Sequence, residues 1–274
     1  MYTEYQPSHL LVPYIDNYWE FKGNPDYGMR IHILPDGCTD FIFTLGEVAN
    51  AVEEGSLIMQ PYRSYFVGPM TKYLELVTYT ESIHMFGVRF LPCGLSCFTN
   101  LPLHEFVNSR VSTNEMKAVF DDTFIEKLGE QKHVTDRIRV VEEYLLAYLA
   151  RHYQPADSHV AMAVNMINHS KGKRSVRSLM DDVCLCQRHF ERKFKHYTGF
   201  TPKEYSRIVK FKNAVELLRT TTSANLLTTA VDAGYYDLAH FSKEIKSLSG
   251  NTPASFLSLT VPEETTLTYI EPQR

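Results

Sequence analysis

The stretch HFERKFKHYTGFTP, residues 189–202, is followed 51 residues later by HFSKEIKSLSGNTP, residues 240–253. Both copies read His-Phe, three residues, a bulky apolar residue and Lys, three residues, Gly, one residue and Thr-Pro. Self-similarity at a fixed offset indicates that one structural unit occurs twice. We therefore expect two copies of one supersecondary unit in the C-terminal part of the chain.

Each element of the repeat predicts a local structure. The aromatic and apolar residues of a copy lie four apart and so share the buried face of a short helix; they are Phe190 and Phe194 in the first copy and Phe241 and Ile245 in the second. Gly199 and Gly250 suit the left-handed residue that ends a helix. Thr-Pro begins the next helix, where Thr201 and Glu204 form a capping box.

A short amphipathic helix precedes each copy. The first follows the cap Ser175 and carries Val176, Leu179, Met180 and Val183; the second carries Leu226, Leu227, Ala230 and Val231 before a turn at Gly234. Each unit therefore reads as helix, tight turn and helix. Between the units, residues 202–219 predict one long helix that holds them apart.

The second helix of each unit should expose a mostly polar face. Its residues are Gln187, Arg188, Glu191, Arg192 and Lys195 in the first unit and Leu238, Ala239, Ser242, Lys243 and Lys246 in the second. Arginine suits bidentate contact with guanine, and Lys195 and Lys246 suit phosphate. Glu191 either accepts from cytosine or pairs with Arg188 or Lys195. Double-stranded DNA is the predicted partner; the alternative is a helical domain that contacts only proteins.

Charge is distributed unevenly along the 274 residues. The net charge is −4, but residues 1–156 carry −8, residues 157–258 carry +6 and the tail carries −2. Such asymmetry indicates nucleic-acid contact by one part of a chain. Five cysteines fit reduced thiols, and the start lacks the basic flank and apolar run of a signal peptide. We expect a cytoplasmic protein without membrane contact.

The N-terminal part reads as β-structure because Tyr, Phe, Val and Ile alternate between Gly and Pro turns. The predicted strands are Tyr18 to Lys22, Arg30 to Leu34, Thr39 to Leu45, Ser64 to Val67, Leu74 to Thr80 and His84 to Phe90. From Gly94 onward the apolar spacing becomes helical. The predicted fold is α+β, with a β-rich domain over residues 1–154 (barrel or cupin-like, with flanking helices), an all-α domain over 155–258 and a tail over 259–274.

Residues 157–258 resemble the DNA-binding domain of the AraC/XylS family of bacterial transcription regulators. The signature lies in the second unit, in Ala230 to Val231, Gly234-Tyr235-Tyr236-Asp237, His240-Phe241-Ser242, Gly250 and Thr252-Pro253. The resemblance implies seven helices and base contacts from the exposed faces. The chain departs from the pattern at Ile245, where Phe is usual, at the apolar Leu238 and Ala239, and at Cys186, where a cap such as Ser is common.

Residues 8–110 resemble the sensor-like domain attached to some of these regulators. The matching stretches include Tyr18-Trp19, residues 34–40, Gly68-Pro69 and Gly87-Val88-Arg89-Phe90. The resemblance implies control by a small-molecule effector, for which the candidate contacts are Trp19, Asp36, Asp40, Tyr79 and Arg89. Three of these have a structural alternative, since Asp36 also suits a turn, Arg89 a core ion pair and Trp19 the core.

Enzyme signatures are missing from the sequence. It has no Gly-rich phosphate loop and no Gly-x-Ser-x-Gly elbow, and the cysteine pairs Cys93/Cys97 and Cys184/Cys186 lack zinc spacing. We expect no enzymatic activity, no metal and no cofactor. Two alternatives stay open, namely a catalytic N-terminal domain with a metal at His32 or His84, and control by a protein partner.

A predicted helix from Thr135 to Ala150 carries an apolar face of Ile138, Val141, Leu145, Leu146 and Leu149. This face either covers the sheet or pairs two copies of the chain. The family resemblance favours a homodimer.

Overall fold

The computed structural model describes residues 2–48, 50–51, 58–116, 119–120, 122–152, 154–183, 185–220, 226–258 and 268–270. The strands are β1 (Tyr2–Tyr5), β2 (Ile15–Gly23), β3 (Arg30–Ile33), β4 (Thr39–Thr44), β5 (Asn50–Ala51), β6 (Ser64–Val67), β7 (Leu74–Val77), β8 (Ile83–Phe90), β9 (Arg110–Ser112) and β10 (Thr268–Ile270). The helices are α1 (Asp122–Gly129), α2 (Val134–His152), α3 (Ser158–His169), α4 (Val176–Val183), α5 (Gln187–Thr198), α6 (Pro202–Thr220), α7 (Leu226–Asp232), α8 (Leu238–Ser249) and α9 (Pro253–Ser258).

Two antiparallel sheets form the N-terminal part. The larger has the order β1-β2-β8-β4-β6-β9 and the smaller the order β10-β3-β7-β5. All six predicted strands are present, and β10 adds part of the predicted tail to the smaller sheet. Among the described residues, the edge strands β1 and β9 of the larger sheet do not pair with each other or with the smaller sheet. The two sheets therefore face each other without closing into a barrel.

Alternation along the strands of the larger sheet divides its side chains between two layers. Tyr18, Phe43 and Phe86 point to one face and pack against α1 and α2. Trp19 and Met85 point to the other face and pack against Ile31 and Leu76 of the smaller sheet, among others. The larger sheet is therefore buried on both faces, which explains the aromatic composition of its strands.

The apolar face of α2 covers the larger sheet. Val141 and Leu145 are fully buried in the core under that sheet, and Ile138, Leu146 and Leu149 pack against the same core. Of the two expectations for this face, covering the sheet is the one observed. The homodimer stays a prediction and has to use another surface.

Helical spacing after Gly94 produces less helix than expected. Leu95, Phe98 and Leu101 do not share an α-helix, since the chain makes 3-10 helices at Gly94–Cys97 and Leu103–Phe106 instead. Pro102 between them has no backbone N–H and cannot continue a helix. Phe120 likewise precedes α1, which begins at Asp122.

The C-terminal part contains the two predicted units, α4-α5 and α7-α8, joined by α6. Gly199 and Gly250 adopt the left-handed conformation that ends α5 and α8, with φ of 82° and 77°. The capping box at the start of α6 is also present, because Thr201 N–H donates to Glu204 at 2.7 Å and Glu204 N–H donates to Thr201 Oγ1 at 3.1 Å.

The repeat extends to contacts that the motif does not include. Thr198 Oγ1 donates to the Phe194 carbonyl and accepts from Phe200 N–H; Ser249, 51 positions later, makes the same pair of bonds with Ile245 and Asn251. Lys193 and Glu244 also occupy equivalent positions. Lys193 of α5 pairs with Asp157, the cap of α3, at 2.6 Å, and Glu244 of α8 pairs with Arg207 of α6 at 2.5 Å. The positive and negative partners are thus exchanged between the two units.

The two parts of the chain share apolar cores. Leu34, which follows β3, is fully buried in a cluster formed mainly by α6, α7 and α8, and Cys93 lies in the cluster of α3, α4 and α5. His196 of α5 bonds Asn100 at 3.0 Å. The domain boundary near residues 154–155 thus stays a prediction, and the apolar cores are continuous across it.

Leu34→Ala removes an apolar side chain from the C-terminal cluster and leaves a cavity, which costs about 2 to 5 kcal/mol of folding free energy. Urea denaturation of the full chain should show this loss. Leu10→Ala, at a position that is 54% exposed, is the control and should change little. Equal stabilities of the two variants would contradict the shared core.

Asp157 caps α3 through bonds from the His159 and Val160 N–H groups and pairs with Lys193. Burial opposes ionisation, but these partners hold the pKa of Asp157 below its usual value. A depressed pKa gives stability that is present above the unfolded pKa of about 4 and is lost as the pH falls through the folded value.

Asp157→Ala should therefore cost about 1 kcal/mol at pH 7, and the difference from the unaltered protein should shrink at about pH 3. Thermal melts at both pH values check this. Asp181→Ala, at an exposed site on α4, serves as the control. A difference that is the same at both pH values would show that the charge of Asp157 contributes nothing.

Candidate nucleic-acid interface and ligand cleft

Helix α5 presents the face predicted for the first unit. Phe190 and Phe194 are fully buried. Gln187, Arg188, Arg192 and Lys195 are exposed and Glu191 is half-buried. Glu191 accepts a bond from Gln187 at 2.9 Å, and Arg192 bonds His189 at 3.0 Å. Glu191 thus pairs along the helix, although with a different neighbour from the two expected.

Helix α8 presents the corresponding face in the second unit. Leu238, Ala239, Lys243 and Lys246 are exposed and Ser242 is half-buried, while Phe241, Ile245 and Leu248 are buried. Ile245 thus fills the core position at which Phe is usual. The exposed face has two lysines and an apolar N-terminal end, so it offers fewer polar contacts for bases than α5 does.

The two helices begin differently. Asp237 caps α8 by accepting from His240 N–H at 2.7 Å. Cys186, at the same place before α5, makes no capping bond through its side chain. A side-chain cap is worth about 1 kcal/mol. The expectation that α5 starts less firmly therefore agrees with its geometry.

Two lysines connect the units. Lys173, which precedes α4, donates to the Asp232 carbonyl at 2.6 Å, and Lys210 of α6 donates to the Gly234 carbonyl at 3.3 Å. These bonds satisfy carbonyl groups at the end of α7. Together with α6, whose 19 residues span about 28 Å at 1.5 Å per residue, they fix how one unit lies against the other.

A narrow cleft, with a cavity volume of about 70 Å³, lies between the two sheets of the N-terminal part. Its walls are mostly apolar and include Ile31, Ile33, Leu74 and Leu76 of the smaller sheet and Trp19, Phe21, Ile42 and Met85 of the larger. Trp19 lies flat over Gly87, where a Cβ atom would come within 1.9 Å of the indole. The absence of that atom is what makes room for the ring.

Polar side chains form a row across the larger sheet at one end of the cleft. Asn17 on β2 stands opposite Arg89 on β8, which stands opposite Asp40 on β4. Cross-strand partners share a face, so all three lie on the face of the sheet that carries Trp19; Asp40 and Arg89 line the cleft, and Asn17 lies beside it. Trp19 Nε1–H donates to Asp40 at 2.7 Å, and Arg89 Nε donates to the same carboxylate at 3.2 Å.

Two further carboxylates surround Arg89. Asp36 lies 3.5 Å and Glu4 4.0 Å from its guanidinium, and all four side chains of this group are at most 14% exposed. Burial raises the pKa of Asp40. Burial disfavours the charge of Arg89, but the surrounding acidic groups, Asp40 first among them, together outweigh burial and raise the pKa of Arg89. The predicted core ion pair of Arg89 is therefore present, and it lines the cleft.

The loop from Pro35 to Cys38 connects the cleft to α6. Asp36 and Cys38 line the cleft, and Asp36 Oδ1 accepts from Cys38 N–H at 2.8 Å, which is the turn that its sequence predicted. Gly37 between them touches the ring of Tyr205 on α6; a Cβ atom on Gly37 would lie 2.7 Å from Tyr205 Cε2. Tyr205 itself is buried with Phe194 and Phe200 in the core of the first unit.

Four of the five candidate ligand residues thus meet in the cleft, and Tyr79 does not. Tyr79 is 56% exposed and contacts Tyr27, because β7 ends at Val77, three residues before the predicted strand end. Glu4 and Asn17 were missed. Glu4 lies on the short edge strand β1, and the position of Asn17 two residues before Trp19 was the signal that could have found it.

The described residues contain no group of three His, Cys, Asp or Glu that could hold a metal ion. His32 is buried beside Tyr73, and His84 bonds Glu20 at 3.0 Å. Cys93, Cys97 and Cys38 are buried and Cys186 is exposed; Cys184 lies outside the described residues. Among the helices that the structure describes, none is both long and apolar enough to cross a bilayer.

Comparisons with known proteins agree with this architecture. A family model described as a helix-turn-helix domain matches residues 179–258, and the model Domain of unknown function (DUF6597) matches residues 3–112. No curated protein matches the chain by sequence.

Two solved structures of ToxT share the fold. ToxT from Vibrio cholerae has a TM-score of 0.51 at 9% identity, covering 88% of this chain and 97% of that chain. ToxT from Vibrio cholerae O395 bound to (E)-4-(8-methylnaphthalen-1-yl)but-3-enoic acid has a TM-score of 0.52 at 9% identity, covering 88% and 98%. At this identity the likeness is one of fold.

The family signature in the second unit, the matching helix-turn-helix model and the β-rich domain in front of it agree on one conclusion. The chain is a DNA-binding transcription regulator with a β-rich N-terminal domain and a C-terminal double helix-turn-helix domain, whose second unit resembles the AraC/XylS signature.

Proposed function

We propose that a small molecule bound between the two sheets controls how this regulator binds DNA. The observation that carries the proposal is the loop from Pro35 to Cys38, which lines the cleft with two residues and touches Tyr205 of α6 with the residue between them. A ligand that moves Asp36 or Cys38 has to move Gly37, and Gly37 has no free space toward α6. Ligand binding then changes how the β-rich part lies against the helix-turn-helix part, and it raises or lowers the affinity for DNA according to which arrangement DNA prefers.

The bases are read by the exposed faces of α5 and α8. Arg188 and Arg192 supply the guanidinium groups of the first face, and Lys243 is the exposed cation in the middle of the second. The firm cap of α8 and the bonds of Lys173 and Lys210 keep the two faces in a fixed relation. One chain can thus read a bipartite site in successive major grooves, about 34 Å apart.

The proposed DNA target and the cleft also support predictions about localisation, catalysis and the kind of effector. We infer a cytoplasmic protein without catalytic activity, because its proposed target is DNA and the carboxylates nearest the cleft pair with Arg89. ToxT bound to a naphthyl butenoic acid supports a small molecule over a protein as the effector, since that fold has room for one. A protein partner on the acidic N-terminal part remains the second candidate.

Arg188→Ala combined with Lys243→Ala should lower the affinity for a specific site, found by selection from random DNA, by about two orders of magnitude, since a base contact is worth roughly 1 to 3 kcal/mol. Fluorescence anisotropy of labelled DNA measures this. The matched control is Arg139→Ala with Lys132→Ala, two exposed cations near or on α2. Loss of affinity in the control alone, or an unchanged site preference in the first variant, would reject these faces.

Gly37→Ala tests the link between cleft and α6. The new Cβ displaces Tyr205 from under α5, so DNA affinity should fall about ten-fold, which corresponds to roughly 1.4 kcal/mol. Gly28→Ala is the matched control, because Gly28 has the same left-handed backbone, with φ of 79° against 88°, but no atom within 4 Å of the added Cβ. Both variants carry similar backbone strain. Equal DNA affinities would show that the loop does not transmit.

A further inference from the structure

We propose that a groove between the two helix-turn-helix units, here called the inter-unit groove, is a phosphate site that holds the DNA backbone beside the major groove read by α8. The inference rests on the proposed reading of a bipartite site by α5 and α8. It adds a contact that contributes affinity without sequence preference.

The inter-unit groove lies where α4, α6 and α8 meet. It has a volume of about 550 Å³ and is open to solvent. Residues 172–176, which lead into α4, form one side, and residues of α6 and α8 with Tyr235 form the rest. On α6 the lining includes Lys203, Arg207 and Lys210, which lie three or four residues apart and therefore share one face of the helix.

The lining carries more positive than negative charge. Arg207 pairs with Glu244. Arg174 pairs with Asp182, a carboxylate outside the lining. With Asp182 included, five cations face three carboxylates, so two positive charges are left over. The cations of the lining are Lys173, Arg174, Lys203, Arg207 and Lys210, and its carboxylates are Glu204 and Glu244.

The three lysines of the lining keep donors for a ligand. Lys173 and Lys210 each donate one hydrogen bond to a backbone carbonyl, at 2.6 and 3.3 Å. An ammonium group has three donors, so each retains two. Lys203 is exposed, and it has no hydrogen-bond or ion-pair partner in the part of the chain that the structure describes. A phosphate group supplies both the negative charge and the acceptors that these lysines lack.

Tyr235 adds a donor to the same lining. Lys210 Nζ lies 5.6 Å from the centre of its ring. Tyr235 is 5% exposed, and its hydroxyl has no hydrogen-bond partner among the described residues. Burial raises the pKa of Tyr235, so the hydroxyl keeps its proton. A buried donor without an acceptor costs free energy, and a phosphate oxygen at the floor of the inter-unit groove supplies the acceptor.

The position of the inter-unit groove indicates which phosphates it meets. In a helix-turn-helix unit the second helix enters the major groove, while the first crosses the backbone. The inter-unit groove lies at the start of α4, the first helix of the first unit. On α8 it includes His240, which precedes the exposed Lys243 by three residues and is therefore its neighbour on the helix surface. The backbone that borders the major groove occupied by α8 therefore runs past the lysines.

The salt dependence of DNA binding tests the site in the full chain. Each phosphate contact that is lost makes the slope of log affinity against log salt concentration less steep by about 0.9. Lys203→Gln with Lys210→Gln should therefore reduce the slope by about 2. The variant should lose affinity by the same factor for a site selected from random DNA and for random-sequence DNA.

Lys127→Gln with Lys132→Gln is the matched control, because it removes two exposed lysines on α1 and just before α2. Its slope should equal that of the unaltered protein. Lys203→Gln alone, at a position without a structural bond, should reduce the slope by about 1. The melting temperatures of the DNA-free variants show whether the fold is intact.

Uncharged methylphosphonate linkages locate the contact on the DNA. Placed one at a time between the two half-sites, they should include positions that weaken binding by the unaltered protein and the control. At those positions the double variant of Lys203 and Lys210 should lose little, because its contact is already absent. Linkages outside the half-sites should affect all three proteins alike.

Inorganic phosphate and pyrophosphate, added at constant ionic strength, distinguish a free phosphate compound from DNA. We expect little rise in the melting temperature of the DNA-free protein, because α5 and α8 bring the backbone to the site. A rise that the double variant loses, with an unchanged DNA slope, would assign the site to a free phosphate compound and overturn the DNA contact.

An unchanged slope without such a rise would overturn the phosphate site altogether, as would equal sensitivity of all three proteins to every methylphosphonate. The proposed function fails by other measurements. Arg188→Ala with Lys243→Ala reports site preference, and Gly37→Ala reports the link to the cleft.

Discussion

Helix α6 is buried on nearly every side, and the rest of the molecule is arranged around that constraint. Its first half supplies Tyr205, Ile208 and Val209 to the core of the first unit, and its second half supplies Phe211 and four other residues to the core of the second; the four are Ala214, Val215, Leu218 and the neighbouring Leu217. Its buried residues do not lie along a single face, so they have to be covered from several sides. The β-rich N-terminal part contributes to this enclosure with Leu34 and the loop at Gly37.

Much of this architecture is encoded locally and could be predicted. Alternation of apolar residues identified six strands, and the spacing of Phe190, Phe194, Gly199 and their counterparts identified both units with their caps. These features depend on residues within one or two turns of each other. Even Asp36 was predicted correctly as a turn former, because an Asx turn needs only its own neighbours.

What the sequence did not reveal depends on pairing between distant residues. Strands β1, β9 and β10 are only three or four residues long and are recognisable only beside their partners. The polar row joins Asn17, Arg89 and Asp40 from three strands, so no local pattern contains it. Tyr79 was assigned to the site because strand length was overestimated by three residues, which left its ring at the surface.

The two units differ in ways that their common motif conceals. Lys193 with Asp157 and Glu244 with Arg207 hold equivalent helices with opposite charges. If α5 packed against α6 in the place of α8, Lys193 would meet Arg207, and if α8 packed against α3, Glu244 would meet Asp157. Either exchange would place like charges together. The reversal thus specifies which helix supports which unit, in the way that charged pairs specify partners between separate chains.

Strand β10 has a consequence for the order of the chain. After the second unit the polypeptide returns to pair with β3, antiparallel, at the residues Ile31 to Ile33. The smaller sheet is therefore built from both ends of the sequence, and the helix-turn-helix part is an insertion within the β-rich part. Both ends of the inserted part are therefore tied to the N-terminal part, one through the continuous chain and the other through β10. The strand at which the chain returns, β3, is also a wall of the cleft, so the second attachment lies beside the proposed effector site.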